Sequence, residues 1–119
     1  MEQLIATMPD LRPDVSSGAQ VHTLPLPPMC PVSDNPQPGS YVAVRYAPRG
    51  RTLEVYALQA HIARFVGGWL RDGAHIRDME QMIATLAADC AASVGVPVRV
   101  RARLVLDAGR MALTRDARP

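Results

Sequence analysis

Polar and apolar side chains alternate along residues 98–106. Val98, Val100, Ala102, Leu104 and Leu106 fall on one side, and Arg99, Arg101, Arg103 and Val105 on the other. A period of two puts successive side chains on opposite faces of a pleated backbone, so the segment predicts a half-buried strand. Its three arginines share one face, either a solvated outer surface or the lining of a barrel. Asp107-Ala108-Gly109 turns the chain, and residues 110–114 return as a short strand. The same alternation appears in residues 40–46, where Val42, Val44 and Tyr46 interleave with Tyr41, Ala43 and Arg45. Pro48-Arg49-Gly50 then reads as a turn into a return strand over residues 51–56, which predicts a hairpin.

Between these strand pairs the period lengthens to that of a helix. Leu58, Ile62, Phe65, Val66 and Trp69 form one apolar stripe, ended by Asp72-Gly73. Ile76, Met79, Ile83, Leu86 and Cys90 form a second, stopped by Gly95. Cys90 continues that stripe and is expected in the core. Residues 1–37 are rich in proline and lack a sustained period, and Pro25, Pro27 and Pro28 exclude a helix there. They read as an N-terminal arm (residues 1–29) leading into a loop, with a single domain over residues 30–119. From residue 40 the order is ββααββ. This predicts an α+β fold with a four-stranded antiparallel sheet and two helices on one face. The sheet edges at residues 51–56 and 110–114 would need partners, so a homo-oligomer is expected.

Composition narrows the chemistry. A chain of 119 residues, 48% of them hydrophobic, suits one globular domain. A net charge of +2 makes no case for direct nucleic-acid or membrane binding. All 13 basic residues are arginine, so Schiff-base and P-loop lysine chemistry are excluded. The arginine content itself reads as compositional bias. No apolar run is long enough to span a bilayer, and residues 1–11 lack the pattern of a secretory signal, which points to the cytoplasm. The two cysteines, Cys30 and Cys90, have no disulfide-framework or zinc-site spacing, so no metal is expected. His22 and His61 read as ordinary polar residues.

Cys30-Pro31 opens a polar loop, Pro36 follows, and the loop feeds the strand that ends in Tyr46-Ala47-Pro48. With the ββααββ order, this pattern resembles the nitrile reductases of the queuosine pathway of tRNA modification. That family belongs to the tunnel fold (T-fold), whose copies join edge to edge into a barrel with sites between subunits. Its members reduce 7-cyano-7-deazaguanine to the aminomethyl product with NADPH. The resemblance implies that Cys30 is the nucleophile. A thiolate adds to the electrophilic nitrile carbon to give a thioimide that a hydride can reduce. It also implies substrate contacts from Leu53, Glu54 and Val55 on the second strand and from Met79 and Glu80 on the second helix. A carboxylate can accept hydrogen bonds from a ring N–H and an exocyclic amine together.

The chain departs from the family in three places. Gln37 stands where the family has its proton-donating acid, and Asp34 in the same loop is the possible substitute. Met79 stands where the family has a histidine, for which His75 is the nearby replacement. The stretch Glu54-Val55-Tyr56-Ala57-Leu58-Gln59 has no cation to hold the phosphates of NADPH. The histidines that follow the cysteine in GTP cyclohydrolase, a zinc enzyme of the same fold, are missing after Cys30. The reading is therefore a divergent nitrile reductase-like enzyme. Two rivals are transfer of the thioimide to water or an amine, and a non-catalytic purine-binding module.

Overall fold

A computed structural model describes residues 5–10, 18–30, 33–68 and 78–119. Pro31, Trp69, Asp72-Gly73, His75 and Ile76, which the sequence singled out, lie outside these residues. The described chain forms strands β1 (Thr7–Pro9), β2 (Gln20–Pro25), β3 (Tyr41–Tyr46) and β4 (Arg51–Leu53). Helices α1 (Val55–Ala63) and α2 (Met79–Val94) follow, then strands β5 (Val98–Leu106) and β6 (Gly109–Ala117). The class is α+β with antiparallel sheets, as expected.

The main sheet has the order β2-β3-β5-β6, and β1 pairs with β4 in a separate two-stranded ribbon. Two expectations are corrected here. First, residues 20–25 are an edge strand and not a loop, with Leu24 opposite Val42 and Pro25 opposite Tyr41. Proline forbids a helix but is tolerated at a sheet edge, where no ladder partner needs its missing N–H. His22 and Leu24 point to the core while Val21, Thr23 and Pro25 are exposed. Second, β3 and β4 do not form a hairpin. Both sides of β3 are occupied, by β2 and by β5. The open edges of the main sheet are therefore β2 and β6.

One face of the sheet makes the core. Val42, Val44, Val98, Val100, Ala102 and Leu104 are buried against Leu58, Ile62, Met82, Ile83 and Leu86 from the helices. Helix α2 packs on β5 and β6, and Ile62 and Ala63 of α1 line a cleft with Leu24 and Leu26 at the β2 edge. Cys90 is fully buried, and burial together with the neighbouring Asp89 charge pushes its thiol up to about 12. Asp78 caps α2 by accepting a hydrogen bond from Gln81 N at 2.8 Å. Gly95 ends the helix in the left-handed region, φ 74°, with its N–H donating to Ala91 O. Burial of Cys90 and the stop at Gly95 are as the apolar stripe predicts.

Strand β4 is held to the main sheet by a side chain. The Tyr46 hydroxyl, at the end of β3, accepts the Leu53 N–H at 2.7 Å and lies 2.8 Å from His22 Nε2. Burial holds the His22 imidazole below its ordinary value. A neutral ring can accept the Tyr46 proton while the same oxygen accepts Leu53 N–H. Tyr46→Phe removes both bonds and strands a buried N–H. A loss of about 1–3 kcal/mol in urea unfolding is expected, and an unchanged midpoint would contradict this role.

Candidate functional site

Strand β2 hands the chain to the Cys30 loop in steps that each use a backbone group. Leu26 N donates to Ser40 O, and Gly67 N donates to Met29 O. Met29 N and Cys30 N both donate to Asn35 O, at 3.0 and 3.1 Å, and close the loop on itself. The Asn35 side chain carries the loop to the β5–β6 turn. Its Nδ2 donates to Asp107 Oδ1 at 3.1 Å, and its Oδ1 accepts Asp107 N at 3.1 Å. Gln37 N donates to Val105 O at 2.7 Å. Ser40 Oγ accepts Val105 N at 2.8 Å and donates to Gln37 O at 2.8 Å. The Asn35–Pro36 peptide in this clamp is cis. Met29 is buried while Cys30, the next residue, is exposed. The loop thus presents a thiol to solvent from a backbone fastened on three sides.

Asp34 is exposed in this loop. The Gln37 amide donates to Asn35 Oδ1 at 3.3 Å, so it braces the loop. Gln37 is therefore a structural contact and carries no acidic group.

Glu54 does not stand on a strand. It is the N-cap of α1, and its two carboxylate oxygens accept Tyr56 N at 3.1 Å and Ala57 N at 2.7 Å. Residues 55–59, expected to finish a strand and open a helix, all belong to α1. The carboxylate satisfies two N–H groups that the first turn cannot pair and faces the positive end of the helix. Leu53 is buried in the core and Val55 is exposed. Glu54 also lines a cleft of about 410 Å³ with Asp10, Gln20 and His22.

The fold separates the two glutamates. Tyr41 marks the Cys30 end of β3, and Tyr46, bonded to Leu53, marks the Glu54 end. The five residue steps of extended chain from one to the other span about 17 Å. Cys30 and Glu54 of one chain therefore do not meet. Residues 95–97 join α2 to β5 at Val98, which lies opposite Tyr46. The last turn of α2 thus lies toward the Glu54 end, and Ser93 Oγ accepts Ile5 N there. The first turn, with Met79 and Glu80 both half-buried, points back toward the Cys30 end. Topology thus puts the first turn of α2 toward the Cys30 end of the sheet and Glu54 at the other end.

Sequence reasoning missed one buried polar pair. His61 Nε2 lies 2.8 Å from Asp89 Oδ2 with both side chains buried, and the Phe65 ring meets the imidazole edge-on. His61 is a core residue tying α1 to α2, against the expectation of an ordinary polar position. The signal was present. His61 falls on the row Leu58, Ile62, Phe65, and Asp89 on the row Met82, Leu86, Ser93, all of them buried. Polar residues on an apolar stripe call for a partner.

Among the described residues no group of three His, Cys, Asp or Glu side chains could hold a metal ion. No helix among them is long and apolar enough to cross a membrane. The residues at 54–59 do not fit the phosphates of NADPH. They open a helix, carry no cation, and commit their carboxylate to the cap. No protein-family model matches the chain, and no curated protein matches it either. The capping role is tested by Glu54→Ala. It should lower stability by about 1 kcal/mol in the absence of any ligand. Unchanged thermal unfolding would leave Glu54 free for a ligand role alone.

Proposed function

We propose that this chain is a tunnel-fold enzyme related to the nitrile reductases, acting through Cys30 on the nitrile of a 7-cyano-7-deazaguanine or similar deazapurine. The observation that carries the proposal is the exposed Cys30 thiol on a loop fastened to the β5–β6 turn. A nucleophile needs access and a fixed position together. In the first step the Cys30 thiolate forms the S–C bond. One C≡N π pair moves to nitrogen, which takes a proton, and a thioimide results. Asp34 is the carboxyl group of the loop that can supply the proton, since Gln37 is an amide. Glu80, at the same end of the fold, is the carboxylate suited to the ring N–H and exocyclic amine.

The thioimide is common to reduction and to transfer to water or an amine. With Gln37 committed to bracing Asn35, reduction depends on Asp34 alone for its acid, which favours transfer.

A site that uses both Cys30 and Glu54 is complete only between two copies, given the separation along β3. Edges β2 and β6 are open for such pairing, and joining them into a barrel would remove both. Sedimentation should therefore show a ring or two stacked rings at micromolar concentration. A stable monomer would overturn the barrel.

Intact-protein mass spectrometry tests the covalent step. Incubation with 7-cyano-7-deazaguanine, without NADPH, should add the ligand mass once per chain. Cys30→Ala should abolish the adduct and Cys90→Ala should keep it, because the Cys90 thiol is buried and fully protonated at neutral pH. A folded protein that binds the compound but never forms the adduct is a purine-binding module instead.

A further inference from the structure

The sheet face opposite the helices carries a second feature, independent of Cys30. Register puts Arg45, Arg99 and Asp116 in one cross-strand row, Ala43, Arg101 and Thr114 in the next, and Tyr41, Arg103 and Ala112 in the third. All of these except Ala43, which is half-buried, are exposed. In the first row Arg99 is paired within the row. Arg99 Nε donates to Asp116 Oδ1 at 2.7 Å and its second nitrogen to Oδ2 at 3.1 Å, which holds the Asp116 carboxyl below its ordinary value. The third row has no such partner.

Beyond that row, Arg110 pairs with Val105 in the ladder. Arg103 and Arg110 are therefore diagonal neighbours on one face, with Cβ atoms about 7–8 Å apart. They line a cleft of about 380 Å³ with Tyr41, Gly39, Val105 and Met111, and no carboxylate lines it. The acid nearest along the chain, Asp107, is bonded to Asn35. Arg103 and Arg110 make no ion pair among the described residues. Two guanidinium forks converging on one concave site, with a phenol at its rim, match an anion with several oxygens.

We propose that Tyr41, Arg103 and Arg110 bind the diphosphate group of a phosphorylated small molecule. Each arginine can take one phosphate, since the two side chains enter the cleft from neighbouring strands. The cleft adjoins the Cys30 loop through Val105, whose carbonyl accepts Gln37 N. The proposal does not depend on the chemistry assigned to Cys30.

Calorimetric titration of the full chain with inorganic pyrophosphate and with adenosine diphosphate, at low salt and without divalent metal, tests this. Binding should be saturable and should weaken as salt rises. Arg103→Ala and Arg110→Ala should each weaken it about tenfold to a hundredfold, the range for losing charge-assisted hydrogen bonds. Arg99→Ala, already paired with Asp116, should change it by about twofold at most. All three side chains are exposed, so the core is untouched by these changes. Tighter binding of the nucleotide identifies a nucleotide ligand, and equal binding identifies the diphosphate alone. The proposal is overturned if neither probe binds at millimolar concentration, or if Arg99→Ala costs as much as Arg103→Ala. It is equally overturned if a single-stranded oligonucleotide binds more tightly than either probe and depends on Arg45 and Arg99 alike.

Discussion

Strand β3 has only two backbone edges, and β2 and β5 use both. β4, the next strand in the chain, must therefore be attached to the sheet by other means. The Tyr46 hydroxyl is that means. It takes the Leu53 N–H that a ladder partner would otherwise take, and it engages His22 on the neighbouring strand. One oxygen thereby joins β2, β3 and β4 at one end of the molecule. It sets where β4 ends and so where Glu54 can open α1. The last turn of α2 returns to that end through residues 95–97, so its first turn, with Glu80, lies toward the other.

At that opposite end the Cys30 loop is organised by the same kind of economy. Asn35 uses its main-chain carbonyl to close the loop and its side-chain amide to fasten the loop to Asp107. Gln37 and Ser40 add bonds to Val105 and to each other. Polar groups in a proline-rich segment cannot build a ladder, so they satisfy one another across the turn. The consequence for chemistry is a thiol at a fixed address on the surface. Cys90, by contrast, is buried and protonated and serves packing alone.

The sheet divides labour between its faces. The core face buries aliphatic side chains under two helices that are themselves pinned by the His61–Asp89 contact. A buried pair of this kind gives less net stability than its short distance suggests, because both groups lose water. It does specify how α1 sits on α2. The other face holds arginines whose charges are handled unevenly. Asp116 pairs with Arg99 in one row, and no acid pairs with Arg103 in the row at the Cys30 end. That asymmetry follows from register alone, since a shift by one residue would turn every arginine of β5 into the core.

Periodicity was enough to read β3, β5, the start of β6 and the body of α2. In those segments the burial of one face repeats in the sequence with the period of the backbone. Gly95 and the burial of Cys90 were legible for the same reason. The exposed loop position of Cys30 followed from its polar, proline-rich neighbours. The partner of each strand was not legible. Residues 51–53 look like the return strand of a hairpin, yet β4 pairs with β1, because a strand pattern records which face is buried and not which neighbour supplies the hydrogen bonds. Pro25 hid β2, since a proline that bars a helix is harmless at an edge, and an edge exists only once the whole sheet is assembled. Glu54 looked like a strand residue because a cap is defined by the two N–H groups beyond it and not by its own flanks. The sequence by itself determined which residues face the core, through local period. Tertiary structure alone decided which ends and edges come together, because those contacts join segments far apart in the chain.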